Sequence, residues 1–281
     1  MRTIRDINKM MTVSARLKNQ GKRIGFVPTM GCLHDGHLSL MRASRKENDV
    51  SIISIFVNPL QFGPQEDYKK YPRNFKRDAQ LARSVGVDVL FFPSARQIYS
   101  PGHVTSVTVS RLANGMCGAS RPEHFQGVAT VVAKLFNIVR PDRAYFGQKD
   151  AQQTVVIKKM VEDLNIPTKV KTLPIVREQD GLAMSSRNSY LSPKERIDAL
   201  VLIDSLRLSR RMAIDGERSS RKIISTIKSL IKTKKTAKLD YVACVDPTSL
   251  QPLKRIKAKA LIALAVWIGK TRLIDNIIIR V

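Results

Sequence analysis

The chain has 281 residues, 43% of them hydrophobic, and a formal charge of +26 from 49 basic and 23 acidic side chains. That length predicts one large and one small domain, and the hydrophobic content is ordinary for a globular protein. No apolar run reaches the roughly 18 residues that would cross a bilayer, Met1 to Asp6 lacks the core of a secretory signal, and Cys32, Cys117 and Cys244 are too scattered for a disulfide framework or a zinc site. The expectation is a cytoplasmic protein with reduced cysteines and no membrane partner.

Arg23 to Val27 is short and apolar and runs into Pro28-Thr29, which predicts a buried strand ending in a turn. From His37 the apolar positions Leu38, Leu40, Met41 and Ala43 fall at helical spacing and end in the polar tail Arg45 to Asp49, so a helix follows. His34 and His37 therefore stand at a helix entrance, three apart on one face. Val50 to Val57 has the continuous β-branched texture of a strand covered on both faces, and Val87 to Pro93 is a second of that kind, with helical spacing between them from Asp78 to Val85. Gly127 to Val139 reads as a helix, Ala144 to Phe146 as a strand, Asp150 to Leu164 as a helix and Thr168 to Val176 as a strand.

This alternation predicts an α/β domain over residues 1–176, with a doubly wound, Rossmann-like parallel sheet. Ligands of such sheets bind beyond the carboxyl ends of the strands. The strand ends here carry polar or glycine-bearing loops, Thr29 to Gly31, Asn58 to Gln61, Gly147 to Asp150 and Arg177 to Arg187, and all four can face one cleft. Residues 177–281 change texture: amphipathic helices at Pro193 to Ala213 and Glu217 to Lys232 precede strands at Leu239 to Val245, Ala258 to Ile268 and Leu273 to Ile279, a smaller α+β domain. Residues 181–281 hold 21 basic and 8 acidic residues. They are interleaved with Ile223, Ile224, Ile227, Leu230 and Ile231 as on a solvated helix face, so no nucleic-acid partner is expected.

Free N–H groups and the positive end of the helix dipole favour an anion at the His34–His37 junction, where two imidazoles would complete a phosphate cradle and Gly36 would allow close approach. The same pair could simply cap the helix or hold a metal, although the helical zinc pattern has other spacing and a glutamate. Lys149 could hold a phosphate charge and Asp150 a ribose hydroxyl, or the two could be a surface lysine and a cap. Met184-Ser185-Ser186-Arg187 offers two hydroxyls and a guanidinium to a polyphosphate, or is a serine-rich turn. Asn58, Gln61 and Gln153 supply neutral amides for a carboxylate or hydroxyl. Such an inventory of donors and cations, without a serine elbow or a catalytic carboxylate pair, suits transfer at phosphorus.

His34-Asp35-Gly36-His37 resembles the histidine motif of the nucleotidylyltransferase superfamily, and Met184 to Arg187 resembles its mobile phosphate loop. Together with Phe26 to Gly31, Ile55 to Phe62, Tyr71-Pro72-Arg73, Gly118 to Pro122, Phe146 to Asp150 and Asp180 to Ala183, these motifs are similar to those of the pantothenate synthetase family, from about residue 3 into the C-terminal domain. The resemblance implies an ATP-dependent ligase that joins pantoate and β-alanine through a pantoyl adenylate, releasing AMP and pyrophosphate. It implies ATP contacts from Met30, Gly31, Cys32, Leu33, His34, Asp35, Gly36, His37, Gly147, Gln148, Lys149, Asp150, Val176, Met184, Ser185, Ser186 and Arg187. Catalytic roles fall to His34, His37, Lys149 and Arg187, pantoate to Gln61 and Gln153, and β-alanine in part to Gln61. Mg²⁺ is implied as the counter-ion of ATP, near Asp78 and with no protein ligand assigned, as are a homodimer and a C-terminal lid. Arg77 stands where some relatives have a second acid, and Glu123 and Gln126 stand where Gly and Arg are commoner.

Overall fold

The computed structural model describes residues 1–64 and 66–281. Strands β1 (Arg2–Ile4), β2 (Ile24–Thr29), β3 (Val50–Ile55), β4 (Val89–Phe91), β5 (Arg143–Gly147) and β6 (Lys169–Leu173) form one sheet in the order β1-β4-β3-β2-β5-β6. Every pairing in it is parallel. Neighbouring strand residues face opposite ways. Phe26 and Ile52 therefore join a core with helices α1 (Ile7–Asn19), α6 (His124–Val139) and α7 (Ala151–Asp163), while Val27 and Ile53 join one with α2 (Asp35–Glu47) and α3 (Phe75–Ser84). Short helices α4 (Ala95–Ile98) and α5 (Cys117–Ser120) lie between β4 and α6.

The β1 and α1 elements were not anticipated, because Arg2–Ile4 buries one residue of three and α1 buries only Met10, Val13 and Ser14. The helix expected over Pro193 to Ala213 is two, α8 (Pro193–Ala199) and α9 (Val201–Ile214), with Leu200 between them. They pack with α10 (Ser220–Lys232) on an antiparallel sheet of β7 (Ala237–Val245), β8 (Lys259–Ile268) and β9 (Thr271–Arg280).

Chain order turns back between β2 and β5, so the loops leaving these neighbours open on a common crevice, the usual ligand position in a doubly wound sheet. The C-terminal sheet closes that crevice, because Asn276 on β9 donates to the carbonyls of Gln148 and Lys149, each at 2.9 Å.

Candidate active site

His34 is the N-cap of α2 and His37 its third residue, so the helix begins two residues earlier than its apolar spacing suggests. The Gly36 N–H donates to His34 Nδ1 (3.2 Å) and the His34 N–H to His37 Nδ1 (3.4 Å), a reciprocal cap in which both side chains are imidazoles. Capping and anion binding are therefore compatible. With each Nδ1 accepting, the neutral rings carry their proton on Nε2, free to donate. Burial, then the charge of Lys149, lowers the His34 pKa to about 4. Burial, then the charges of His34 and Lys149, holds His37 well below its ordinary value. Both are neutral hydrogen-bond donors at neutral pH. The rings lie 4.1 Å apart, and a Cβ on Gly36 would meet the His34 ring at 2.8 Å, so only glycine leaves that ring its place.

The loop in front of the helix is shaped from below. Asp78, 1% exposed, accepts the N–H groups of Cys32 and Leu33, each at 2.8 Å, and Arg77 Nη1 donates to the Leu33 carbonyl. Cys32, at a φ of 49°, has its thiol pKa raised by burial and by Asp78, so it is a poor nucleophile.

Lys149 follows β5 at the entrance to α7, and its pKa is lowered by burial. It lines a cavity between the two sheets with Asp150, Gln153, Ser185 and Arg187 on one side and Arg272, Asp275 and Asn276 on the other. His34 and His37 are outside that lining, yet the charge of Lys149 depresses both, and the charge of Arg187 in turn depresses Lys149. Lys149 thus stands within electrostatic reach of all three.

Val176 and Met184 are joined as the ends of a hairpin: Met184 N–H donates to the Val176 carbonyl (3.0 Å) and Arg177 pairs with Ala183. The expected domain boundary at 176/177 passes through this hairpin. Beyond it, Ser185 caps the turn Ser186–Tyr190 by accepting the Arg187 N–H. Arg187 reaches Asp67 through two bonds of 3.1 and 2.8 Å. Burial alone would raise Asp67 and lower Arg187, but their pairing outweighs it and keeps both ionised.

Of the three amides, Gln153 lines the cavity. Gln61 is buried with its Nε2 on the thioether of Met30 (3.2 Å), a weak acceptor. Asn58 has a different place. It is 1% exposed, donates to Gln61 Oε1 and the Gly127 carbonyl, and accepts from Leu60 N–H and the Tyr99 hydroxyl. It lies beneath Gln61 and aims it. A Cβ at Gly127 would meet the Leu60 carbonyl at 2.2 Å, so glycine lets α6 approach the turn that presents Gln61.

Several residues of this site were not singled out from sequence. Arg121 bonds Glu66 (2.7 and 2.5 Å) and the Gln61 carbonyl, His124 Nδ1 donates to that same carbonyl (2.8 Å), and both line the cavity. Burial pushes the Tyr71 phenol up to about 12, and Ser186 and Arg187 act against that rise. Tyr71 and Arg121 do fall in motifs that carried the resemblance. Asp67, Arg272 and Asp275 had no such signal.

The family model described as pantoate-beta-alanine ligase matches residues 2–278. A protein of Heliobacterium modesticaldum called pantothenate synthetase is 56% identical over 281 residues, covering 100% of both chains. The crystal structure of pantothenate synthetase from Thermus thermophilus superposes with a TM-score of 0.94 at 45% identity, over 99% of each chain. That of pantoate-beta-alanine ligase from Francisella tularensis, complexed with beta-gamma ATP and beta-alanine, does so with a TM-score of 0.81 at 38% identity, over 99% of this chain and 97% of that one. Fold, cleft and full-length similarity agree: the chain belongs to the pantoate-beta-alanine ligase family, the pantothenate synthetases.

Proposed function

We propose that the protein uses ATP to join pantoate and β-alanine in two steps. A pantoate carboxylate oxygen attacks the α-phosphorus, the bond to the pyrophosphate oxygen breaks, and a pantoyl adenylate forms. The β-alanine amine then attacks the acyl carbon, the bond to AMP breaks, and the amine gives up a proton. The observation that carries this reading is the placement of one ammonium, Lys149, in reach of the His34–His37 pair and of Arg187.

In this reading Met30 to His37, Gly147 to Asp150, Val176 and Met184 to Arg187 surround ATP. His34 and His37, neutral rings in the unliganded site, donate Nε2–H to phosphate oxygens and act through charge stabilisation. Lys149 and Arg187 neutralise charge as pyrophosphate departs. Gln61 and Gln153 hold pantoate, with Gln61 bordering the β-alanine position, and the weak thioether partner of Gln61 is readily exchanged for a substrate oxygen. Asn58 acts by positioning Gln61.

Mg²⁺ does not fit a protein-held site here. Asp78 spends both oxygens on backbone N–H groups, and no cluster of three or more His, Cys, Asp or Glu able to hold a metal occurs among the described residues. The ion belongs to the triphosphate, held by phosphates and water.

The C-terminal unit serves as a lid that keeps water from the adenylate. The cytoplasmic setting is in keeping with three free cysteines. A homodimer is in keeping with the segment from His103 to Ser110, which belongs to no strand, alternates exposed and more buried positions from Ser106 onward, and leaves Val104 93% exposed. Val104→Lys is expected to lower the molar mass read by light scattering. An unchanged mass would remove this segment from the interface.

The reaction is tested by stoichiometry. AMP, pyrophosphate and pantothenate should form one to one in multiple turnover only with both pantoate and β-alanine present. Labelled pyrophosphate should exchange into ATP with pantoate alone. Sustained pyrophosphate release without the amine would point to a nucleotidyl transferase and overturn the ligase assignment.

A further inference from the structure

We propose that Asp275 and Asn276, consecutive residues of β9, are positioning residues that hold the two nucleotide loops at a fixed spacing, so that the site is assembled only while the C-terminal sheet is docked. This rests on the function proposed above, because the loops are those assigned to ATP. Asn276, 3% exposed, grips the loop after β5 three times: its Nδ2 donates to the Gln148 and Lys149 carbonyls, both at 2.9 Å, and its Oδ1 accepts from Gln148 Nε2 at 3.0 Å. Asp275, 2% exposed, takes a two-pronged bond from Arg177 at 2.7 and 3.0 Å. Arg177 in turn donates to the Gly181 carbonyl within the hairpin that runs into Met184 and Arg187.

Successive side chains of a strand point in opposite directions, which lets two neighbours serve two loops. Asn276 sets where the Lys149 main chain lies, and Asp275 sets where the hairpin starts. Neither loop holds the other directly through these groups; the strand does. A buried ion pair is weak support for stability but good support for orientation, because its two bonds fix a plane. Asp275 has a second consequence, since it lines the same cavity as Lys149 and its negative charge favours the ammonium against burial. The other charges bearing on Lys149 are Asp150, which opposes the effect of burial, and Arg187, which adds to it; the nearby His34–His37 pair is neutral.

The full-length protein is assayed with Asn276→Ala and Asp275→Asn, recording KM for ATP, kcat, pantoate-dependent pyrophosphate exchange, the pH profile and the thermal midpoint. Asn276→Ala is expected to raise KM for ATP about tenfold and to slow exchange, with KM for β-alanine little changed. Asp275→Asn is expected to lower kcat about tenfold and to move the alkaline limb of kcat/KM to lower pH, because Lys149 then loses its proton sooner. Asp275→Glu, which restores the charge, should return that limb toward the wild-type position. If Asn276→Ala does not fold, Asn276→Ser, which keeps a donor for one carbonyl, must move KM for ATP in the same direction. Folded variants with wild-type KM for ATP, kcat and alkaline limb would overturn the proposal, as would a loss of thermal stability with no kinetic change. Wild-type protein that makes no pantothenate would instead sink the functional reading itself, so the two failures are distinct.

Discussion

The two loops that flank the cleft are secured in different ways. In the turn after β2, His34 and His37 are held by their own cap of α2 over three residues, and the main chain in front of them is held by Asp78. The loop after β6 is also closed by bonds of its own, among them Met184 N–H to the Val176 carbonyl, Glu178 N–H to the Leu182 carbonyl and Arg187 N–H to Ser185 Oγ. Its guanidinium is aimed by Asp67, 120 positions away, and its stem by the Arg177–Asp275 pair, 98 positions apart. Closing a short contact costs little chain entropy, whereas contacts at such separations exist only once distant elements have met. The imidazoles of the first loop are therefore aimed by a local cap, whereas the guanidinium of the second is aimed by a distant carboxylate.

That contrast predicts unequal costs. His37→Ala removes a donor that the fold has already placed, so kcat should fall on the order of 100-fold or more, with an unchanged circular dichroism spectrum; wild-type turnover in that variant would remove the cradle assignment. Asp67→Asn releases Arg187 without deleting it, and should change kcat/KM for ATP by only about tenfold. A loss as large as that of His37→Ala would erase the distinction between the loops.

Acid probes both loops together. The folded pKa of His34 is depressed from 6.5 to about 4, and that of His37 is held well below 6.5 by burial and by the charges of His34 and Lys149. The unfolded chain therefore takes up protons first as pH falls, and the contribution of these groups to stability, fully present above pH 6.5, is lost on the way down to about pH 4. The thermal midpoint should drop across that window, while the acid limb of kcat should show no inflection near 6.5. Finding one there would mean that a ring titrates in the active form. Asp67, held low by Arg187 in spite of burial, stays ionised through most of this range.

The smallest effect lies away from both loops. Glu123, exposed at the start of α6, sits at a φ of 65°. Glu123→Gly relieves a left-handed side chain but loosens the unfolded state, a net gain of roughly 0.5 kcal/mol, and chemical denaturation should detect it without any change in kcat. A loss of stability would show that the glutamate side chain contributes something the backbone strain conceals.

The residues themselves determined the alternation of strands and helices, the parallel sheet, and the identity of the His34–His37 cap, because each depends on neighbours a few positions apart and on periodicity. Helix ends shifted by a few residues, and the break at Leu200 was invisible, since the apolar pattern runs through it. Only the tertiary structure decided that Asn58 turns inward to the Gly127 carbonyl and the Tyr99 hydroxyl, that Asp67 aims Arg187, and that β9 reaches back to Gln148 and Lys149. Those contacts join parts of the chain whose separation carries no periodic signal, and a charged residue looks the same in sequence whether it faces water or a partner far along the chain.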